Sequence, residues 1–490
     1  MTTRTSDDPR PLRVSSANPR YFAIGSGADE RPVYLTGSHV NNNLHDGLGF
    51  GRECPDEPER FDYDAYLDFL LERGHNFIRL WRWEQFRGHL EPADVHFCMT
   101  PQPWPRTGPG PAKDGKPRFD LSRFDDAYFD RLRHRVQAAG RRGVYVSVML
   151  FDGFSLHLTA VPDNIEGHPF WVGNNVNDIG ITSILDYQVL PLDERVRSLQ
   201  ESYIGKVIDT VQDLPNVLYE VANESSGQAA QAVVMPDGTT IDTPIGDSTE
   251  WQYWVIETIK NYERTRGYTS HPVGMTFLYP VPEQSRANDP LWRGPADWIS
   301  PGLDDALEPG ASRWSSEPPV NDGRKVVLSD TDHYAPFGAD ALWAWKTFLR
   351  GHYPVLYDLG IVAGPAPEDP TAGQPSFASL EPARRAMGCT RRLAEHVRLL
   401  RLEPRPDLCS TGFALADPGQ EYVTLQPDAT EPLSITLDPG RYAVRWYGLV
   451  AADPVASEEL SVDESGPCSL EAPDAPAVVH LVRLGSSVST

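Results

Sequence analysis

Residues 325–334 read KVVLSDTDHY. Three consecutive apolar residues, two of them β-branched, are typical of a strand in a sheet that is covered on both faces. This strand runs straight into Asp330, Asp332 and His333, side chains that are costly to bury unless they are paired or used. A core strand that ends in two acids indicates a sheet whose strand ends carry a functional site.

The alternation of a short apolar run and a longer helical pattern continues in both directions from this stretch. In chain order the predicted strands are PVYLTGS, HNFIRLWRW, VYVSVMLFD, NVLYEVANE, PVGMTFL, ADWIS, KVVLSD and YPVLYDLG. Eight strand–helix units predict an α/β fold of the (β/α)8 or TIM barrel type, in which the loops after the carboxyl ends of the strands carry the site.

The sequence pattern changes after LEPRPDL. Short alternating runs such as EYVTLQP and AVVHLVRL are then separated by Pro, Gly and Asp turns, which predicts an antiparallel β-sandwich. The segment RYFAIGSGADERPVYL ahead of the barrel predicts a hairpin. We therefore expect an N-terminal extension with a hairpin at residues 1–31, a catalytic barrel at 32–403 and a C-terminal β-sandwich at 404–490.

The composition restricts the classes of partner. Among 490 residues, 69 are acidic and 44 are basic, and this excess of negative charge disfavours nucleic acid and anionic membranes. There is no apolar run long enough to span a bilayer and no secretory signal, so we expect a cytoplasmic protein, either a monomer or a homo-oligomer. The five cysteines are scattered without a CxxC pair, which predicts buried free thiols rather than a zinc cluster or a disulfide framework.

Polar and aromatic residues collect at the predicted carboxyl ends of the strands and in the loop after the third strand. The candidate substrate-binding residues are His39, Asn42, Arg79, Trp81, Asp152, His168, Trp171, Asn175, Asn223, Trp298, His333 and Tyr334. Amide side chains donate and accept hydrogen bonds, and indole rings offer a flat apolar face. This combination suits a sugar.

Three acids complete the candidate site. Glu224 ends the fourth predicted strand, and Asp330 and Asp332 end the seventh. Two carboxyl groups across a barrel mouth are the minimum set for glycoside hydrolysis, because one protonates the leaving oxygen while the other stays ionised to attack or to activate water. Asp330 and Asp332 are two residues apart, so an extended strand would point both of them into the mouth.

The motif VLYEVANES resembles the fourth-strand motif of the large (β/α)8 glycoside hydrolase clan that includes cellulases and mannanases. The resemblance implies that Glu224 is the acid/base, that Asn223 bonds the sugar 2-hydroxyl, and that Arg79 in FIRLW orients the nucleophile. The tail resembles the β-sandwich of apiosidase-type cellulase-like proteins. The clan's nucleophile is a Glu in a stretch similar to VFVTEFG, and VVLSDTD aligned with it places Asp330 at that position, one methylene shorter.

These observations predict a glycoside hydrolase that needs neither a cofactor nor a metal, with Glu224 as proton donor and Asp330 as nucleophile. The resemblance favours retention of configuration, and the crowded polar mouth favours exo action on a short saccharide. Two alternatives stay open. One is a metal-dependent hydrolase that uses DTDH, although its first strand offers GSHVNN in place of His-x-His. The other is a non-catalytic carbohydrate-binding protein, for which a carboxyl pair has no purpose.

Overall fold

The computed structural model describes residues 9–50, 60–90, 95–153, 156, 164–227, 232–234, 240–242, 246–278, 288–302, 313–333, 338–358, 361 and 376–485. Its central strands are Gly37–His39 (β1), Phe77–Leu80 (β2), Tyr145–Asp152 (β3), Val217–Asn223 (β4), Val273–Thr276 (β5), Trp298–Ser300 (β6), Val326–Asp330 (β7) and Tyr353–Tyr357 (β8). They form one sheet in the order β1-β8-β7-β6-β5-β4-β3-β2, and the paired neighbours are parallel. This arrangement confirms the predicted (β/α)8 barrel.

A helix follows each barrel strand. The helices are Tyr63–Glu72 (α1), Asp126–Gly140 (α2), Glu194–Val211 (α3), Thr249–Arg266 (α4), Asp289–Arg293 (α5), Arg313–Ser316 (α6), Ala341–Leu349 (α7) and Glu381–Ala394 (α8). Aspartates begin four of them, α1, α2, α3 and α7, and each accepts a backbone N–H of the first turn. Such caps satisfy donors that have no partner inside the helix, which fixes where the helices start.

Side-chain hydrogen bonds join β1 to β2, the two strands at the ends of the sheet order. The amide of Asn43 donates to the carbonyl of Arg79 over 2.7 Å and accepts the backbone N–H of Trp81 over 2.8 Å. Below this contact the chains approach closely, since a Cβ on Gly37 would lie 1.8 Å from the carbonyl oxygen of Phe77. The last of three consecutive asparagines therefore helps to close the barrel.

The first predicted strand divides into two. Arg31–Val33 pairs antiparallel with Phe22–Ile24, which also pairs with Arg13–Val14, whereas the barrel strand begins only at Gly37. Thr36 explains the break, because its N–H donates to the side chain of Asn76 and its hydroxyl to the carbonyl of Pro354. These bonds replace ladder bonds at this position.

The loops after β1 and β2 contain additional strands that the sequence analysis did not predict. Asp46–Phe50, Gly88–Leu90 and Val95–Thr100 form a three-stranded antiparallel sheet, and Arg106–Pro111 pairs with Pro117–Phe119. Because these insertions follow the carboxyl ends of barrel strands, they lie on the side of the barrel where the candidate site is expected.

The C-terminal part is a β-sandwich, as predicted. Its strands are Glu403–Pro404 (β9), Ala414–Asp417 (β10), Glu421–Gln426 (β11), Leu433–Leu437 (β12), Gly440–Gly448 (β13), Ala456–Val462 (β14), Gly466–Leu470 (β15) and Ala477–Arg483 (β16). These strands form a six-stranded sheet in the order β9-β10-β11-β16-β13-β14 and a two-stranded sheet, β12-β15. Residues such as Ile435 and Trp446 form a core inside the sandwich, while Leu415 and Val478 belong to the barrel core. The sandwich is therefore packed against the barrel through apolar contacts.

Cys98 is disulfide-bonded, so the prediction of free thiols is wrong for this residue. Spacing along the chain does not show which cysteines meet in space. Cys389, Cys409 and Cys468 carry free thiols, and Cys54 lies outside the described residues. Within the described part of the chain, every helix is too short or too polar to cross a membrane.

Candidate active site

Arg79 on β2 connects the polar ends of β4 and β7. Its guanidinium forms a bidentate pair with Glu220, with Nη2–Oε1 and Nε–Oε2 distances of 2.6 and 3.0 Å, and Nη2 also donates to Oδ1 of Asn223. Nη1 donates to Asp330 over 3.0 Å and to Asp332 over 3.2 Å. Burial alone would lower the pKa of Arg79, but the charges of Glu220 and Asp330 raise it well above its ordinary value. Arg79 is therefore a permanent cation among three carboxylates.

Asp330, the last residue of β7, is held through both of its oxygens. Oδ1 accepts the backbone N–H of Asp332 over 3.0 Å, Oδ2 accepts from Arg79, and Nε2 of His39 lies 3.0 Å from Oδ1 and 2.8 Å from Oδ2. Burial would raise the pKa of Asp330, yet His39 and Arg79 hold it below its ordinary value. Asp330 is thus an ionised acceptor fixed by three donors, and it is only 1% exposed.

Asp332 lies on a short 3-10 turn, Thr331–His333, that follows β7 directly. The expectation of one extended strand carrying both aspartates is therefore wrong, because the strand ends at Asp330. The turn still brings Asp332 to Arg79. One oxygen of Asp332, one oxygen of Glu224 and one ring nitrogen of His333 all lie within 4.8 Å of one another. Asp332 and Glu224 are each 8% exposed, more than Asp330.

Glu224 follows β4 and adopts a left-handed backbone conformation with φ of 42°. This region costs a residue with a Cβ about 1 kcal/mol or more. Neighbouring β5 supports the conformation, since the N–H of Glu224 donates to Oγ1 of Thr276, whose hydroxyl donates in turn to the carbonyl of Ala222. The reversal after β4 places the Glu224 carboxyl near Asp332, although their strands are separated by two others.

The two facing carboxyl groups both hold their protons more tightly than usual. Burial and the charge of Asp332 raise the pKa of Glu224 well above its ordinary value. Burial, with a contribution from the charge of Asp330 and against the opposing effect of Arg79, raises the pKa of Asp332 to about 6. Near neutral pH, Glu224 is then the protonated partner and Asp332 the ionised one, a division of roles typical of an acid and a nucleophile or base.

His333 joins β6 to this cluster. Its Nδ1 lies 2.8 Å from the hydroxyl oxygen of Ser300, and its Nε2 lies 3.2 Å from Oδ1 of Asn223 and 3.7 Å from Asp332. Burial and the nearby charge of Arg79 lower the pKa of His333 well below its ordinary value, so the imidazole is neutral. The structure thus brings the predicted residues Asn223 and His333 together with the acids.

An aromatic wall lies beside the carboxyl cluster. Trp81 stacks on His39 with ring centroids 5.8 Å apart and on Tyr357 with centroids 6.0 Å apart. Three buried polar atoms that follow β1 and β2 lack a hydrogen-bond partner among the described residues: Nε1 of Trp81 and Oδ1 of both Asn41 and Asn42. A buried polar atom without a partner costs about 1–3 kcal/mol. These atoms offer one donor and two acceptors to a ligand or to water.

His168 belongs to a second buried network, under the loop after β3. Glu84 accepts the hydroxyl of Tyr187 over 2.7 Å and the backbone N–H of Asp152 over 2.8 Å, and Nε2 of His168 lies 3.1 Å from it. Nδ1 of His168 accepts the N–H of Phe170. This network is structural for His168, whereas the charge of Asp152 also contributes to the raised pKa of Glu224 and so connects Asp152 to the acids.

Asn175 and Trp171 lie in that same loop. The Asn175 amide donates to the carbonyls of Pro169 and Ile179, and its oxygen accepts the N–H of Ile179 over 3.0 Å. Trp171 is half-buried and packs against the edge of the core. Among the contacts of the described residues, none joins these two side chains to the carboxyl cluster, and their binding of substrate stays a prediction.

Trp298 lies at the amino end of β6, paired with Val326, whereas the acids lie at the carboxyl ends of the strands. Its ring is fully buried against Gly274, on which a Cβ would lie 1.9 Å from the indole. Trp298 is therefore a core residue of the barrel rather than an exposed sugar platform. Tyr334 lies outside the described residues.

Two residues of the site were absent from the sequence prediction. Glu220 is a charged residue inside the apolar run VLYEVA, within β4, where it pairs with Arg79. Tyr357 ends β8 in YPVLY. Each carried a signal: a buried charge in mid-strand, and a polar aromatic residue at a strand end.

Glu224, Asp332 and His333 come closest to a metal-ligand arrangement among the described residues. Their existing partners do not suit a cation. The guanidinium of Arg79 already donates a hydrogen bond to Asp332. Both ring nitrogens of His333 also face hydrogen-bond partners, Ser300 and Asn223. A divalent ion would compete directly with a fixed positive charge.

Comparison with known proteins supports the fold. There is no family model that matches the sequence, and no curated protein matches it. A glycoside hydrolase family 5 structure from Bacteroides vulgatus is 12% identical with a TM-score of 0.55, over 96% of this chain and 93% of that one. A putative glycoside hydrolase from the same organism is 14% identical with a TM-score of 0.58, over 98% and 84%. A third structure, named only as a glycoside hydrolase, is 12% identical with a TM-score of 0.56, over 97% of both chains. At such identities these likenesses establish a shared fold.

Proposed function

We propose that this protein is a glycoside hydrolase in which Glu224 protonates the leaving oxygen and an ionised aspartate after β7 faces the anomeric carbon. The carboxyl pair carries the proposal: oxygens of Glu224 and Asp332 lie within 4.8 Å of each other where the strands end. The raised pKa of Glu224 keeps one member protonated, as glycoside cleavage requires. The likeness to solved glycoside hydrolases agrees with this proposal at the level of fold.

Polar atoms that follow β1 and β2 favour a neutral, hydroxyl-rich ligand. Nε1 of Trp81 is a donor, whereas Oδ1 of Asn41 and Oδ1 of Asn42 are acceptors, and all three lack a partner among the described residues. A sugar hydroxyl both donates and accepts, so it can satisfy either kind. A phosphate ester could satisfy only the donor, and its charge would be repelled by the surrounding carboxylates. A carbohydrate is therefore the proposed partner.

We further propose retention and exo action. Retaining enzymes hold their carboxyl groups roughly 5–5.5 Å apart, and inverting enzymes roughly 6.5–9.5 Å, so the approach of Glu224 to Asp332 suits retention. Both groups are more than nine-tenths buried, and two insertions rise from the loops after β1 and β2. This supports a narrow pocket for the end of a short saccharide.

A panel of 4-nitrophenyl glycosides, with pyranosides and furanosides of both anomers, tests the function. We expect nitrophenolate release from at least one member, and NMR of the first-formed sugar should show the anomer of the substrate. The Glu224→Gln variant is the control for the site, and Asp340→Asn is the matched control for the loss of one acidic charge. Asp340 is an exposed helix cap that Asn can replace. Absence of turnover across the panel would leave a non-catalytic sugar-binding protein as the better proposal.

A metal-dependent hydrolase is the second candidate, because Glu224, Asp332 and His333 converge. Dialysis against EDTA separates the two. The glycosidase proposal expects an unchanged rate after dialysis and after addition of Mn²⁺ or Zn²⁺. Loss of turnover that the metal restores would favour the second candidate.

A further inference from the structure

We infer that Asp332, and not Asp330, is the carboxylate that attacks the anomeric carbon, and that Asp330 is a positioning residue. The inference rests on the proposed function. It reverses the assignment that alignment of VVLSDTD with the clan motif implies, in which Asp330 takes the place of the glutamate.

The surroundings of Asp330 leave it poorly suited to attack. Its two oxygens face Nε2 of His39, Nη1 of Arg79 and the backbone N–H of Asp332, all within 2.8 to 3.0 Å. Three of the roughly four lone-pair sites of this carboxylate are thus already used, and charge-assisted hydrogen bonds make its oxygens weaker nucleophiles. Asp330 is also only 1% exposed, whereas Asp332 is 8% exposed.

Asp332 has the opposite environment. Its side chain receives a hydrogen bond from Nη1 of Arg79, which orients the carboxylate, and the group is exposed at the same level as Glu224. One of its oxygens lies within 4.8 Å of an oxygen of Glu224. The 3-10 turn explains how an aspartate can serve here: Asp332 starts two residues beyond the end of β7, which compensates for the methylene that an aspartate lacks.

The turn that presents Asp332 is fixed from both sides. Oδ1 of Asp330 accepts its backbone N–H, and the hydroxyl of Thr331 accepts the N–H of Tyr357 on β8 over 2.9 Å. Asp330 and Asp332 also share Nη1 of Arg79. Asp330 therefore acts on Asp332 through the backbone N–H of Asp332 and through the guanidinium of Arg79, as a positioning residue does.

The proposed reaction has two steps. In the first, an Asp332 oxygen forms a bond to the anomeric carbon, the bond from that carbon to the leaving oxygen breaks, and Glu224 gives its proton to the leaving oxygen. In the second, the Glu224 carboxylate takes a proton from water, the water oxygen bonds to the anomeric carbon, and Asp332 leaves as a carboxylate. The net change is hydrolysis with retained configuration.

The charge of Asp330 gives its positioning role a measurable signature. The charged and titratable groups that face Asp332 are Arg79 on β2, Glu224 after β4, Asp330 and His333 around the end of β7, His39 on β1 and Tyr357 on β8. The negative charge of Asp330 raises the pKa of Asp332. Removal of this charge should therefore lower the pH at which Asp332 ionises.

Trapping identifies the attacking residue directly. The probe is the 2,4-dinitrophenyl 2-deoxy-2-fluoro glycoside of whichever sugar the panel shows to be hydrolysed. Trypsin cleaves after Lys325 and next after Lys346, so one peptide contains both aspartates and fragmentation must place the label. A label on Asp332 supports the inference. A label on Asp330, or an inverted product without a label, overturns it while the glycosidase function stands. If no member of the panel is hydrolysed, both the inference on Asp332 and the proposed glycosidase function fail.

Variants give a second, independent readout. Asp332→Asn should lower kcat/KM by about 10⁴-fold or more, and Asp332→Ala in sodium azide should form a glycosyl azide of inverted configuration. Asp330→Asn should keep measurable turnover and shift the acid limb of kcat/KM to lower pH, which a purely structural defect would not do. Azide rescue of Asp330→Ala, or an inactive Asp330→Asn beside an active Asp332→Asn, contradicts the inference. Circular dichroism of each variant checks that it is folded.

Discussion

The backbone N–H of Asp332 donates to Oδ1 of Asp330 over 3.0 Å, so the first aspartate fixes the second. The two are not equivalent acids that compete for one role. Asp330 is ionised and enclosed by donors, whereas Asp332 faces Glu224 from the turn beyond the strand. These different environments predict measurable differences between the two aspartates.

The effect of Glu224→Gln on the hydrolysis rate should depend strongly on the leaving group of the substrate. Without an acid the rate on alkyl glycosides, whose leaving oxygen needs a proton, should fall by about 10²–10⁴-fold. Dinitrophenyl glycosides leave without protonation, so their first step should be nearly unaffected. Rates of both substrate classes for Glu224→Gln and for Asp340→Asn check this, and an equal loss on both classes would contradict the assigned role.

The pH dependence of kcat/KM should be bell-shaped. Asp332 must be ionised, and its pKa is raised to about 6, so activity should rise with pH through that value. Glu224 must be protonated, so activity should fall as pH exceeds its raised pKa. Initial rates at pH values from about 4 to about 9, on both sides of the expected acid limb, test the profile. If Asp330 were the nucleophile, the acid limb would be missing, because the pKa of Asp330 is lowered.

Asp332→Asn should stabilise the protein at high pH and not at low pH. The folded-state pKa of Asp332 is raised from 3.8 to about 6, so the protonated carboxyl favours folding below about pH 4 and that contribution is lost as pH rises through 6. Asparagine does not ionise, so the variant keeps its stability at high pH. Its free energy of unfolding at pH 8 should exceed that of the wild type by about 2–3 kcal/mol, which raises Tm by about 1–3 °C. Thermal melts at pH 4 and pH 8 measure it. A variant with the same Tm difference at both pH values would speak against a raised pKa.

Trp81→Phe should weaken substrate binding with little effect on chemistry. The change keeps an aromatic ring in contact with His39 and Tyr357 but removes Nε1, a buried donor without a partner among the described residues. Loss of one neutral hydrogen bond to a sugar hydroxyl should raise KM by about 2- to 10-fold. Steady-state kinetics on the best panel substrate separate KM from kcat, and Trp345→Phe serves as a control because that indole donates to Leu449 away from the site. An unchanged KM would exclude this indole from the binding pocket.

The sequence predicted the barrel because strand and helix patterns depend on local periodicity, which each segment carries by itself. KVVLSD appears in the structure as β7, Val326–Asp330, and the helix α7 follows it, as a strand–helix unit requires. The division of PVYLTGS was not predictable in this way, since it depends on Thr36 bonding to Asn76 and Pro354, residues far away in the chain.

The candidate site was predicted to the extent that its residues stand at strand ends. Arg79, Asn223, Glu224, Asp330, Asp332 and His333 meet in the structure. Asn175 and His168 were predicted to bind substrate because they are polar. In the structure, Asn175 hydrogen-bonds the backbone of its own loop and His168 contacts Glu84. The sequence also does not show how deep a side chain lies within the barrel. Trp298 was predicted at the mouth, but it begins β6 and so lies at the end of that strand away from the mouth.

The left-handed backbone of Glu224 sets stability against catalysis at one position. Glycine or asparagine would occupy this conformation at lower cost, and either would remove a buried carboxyl whose ionisation opposes folding. Selection for a stable fold alone would favour one of these two residues, so a carboxyl at this position supports the proposed role of Glu224 as proton donor.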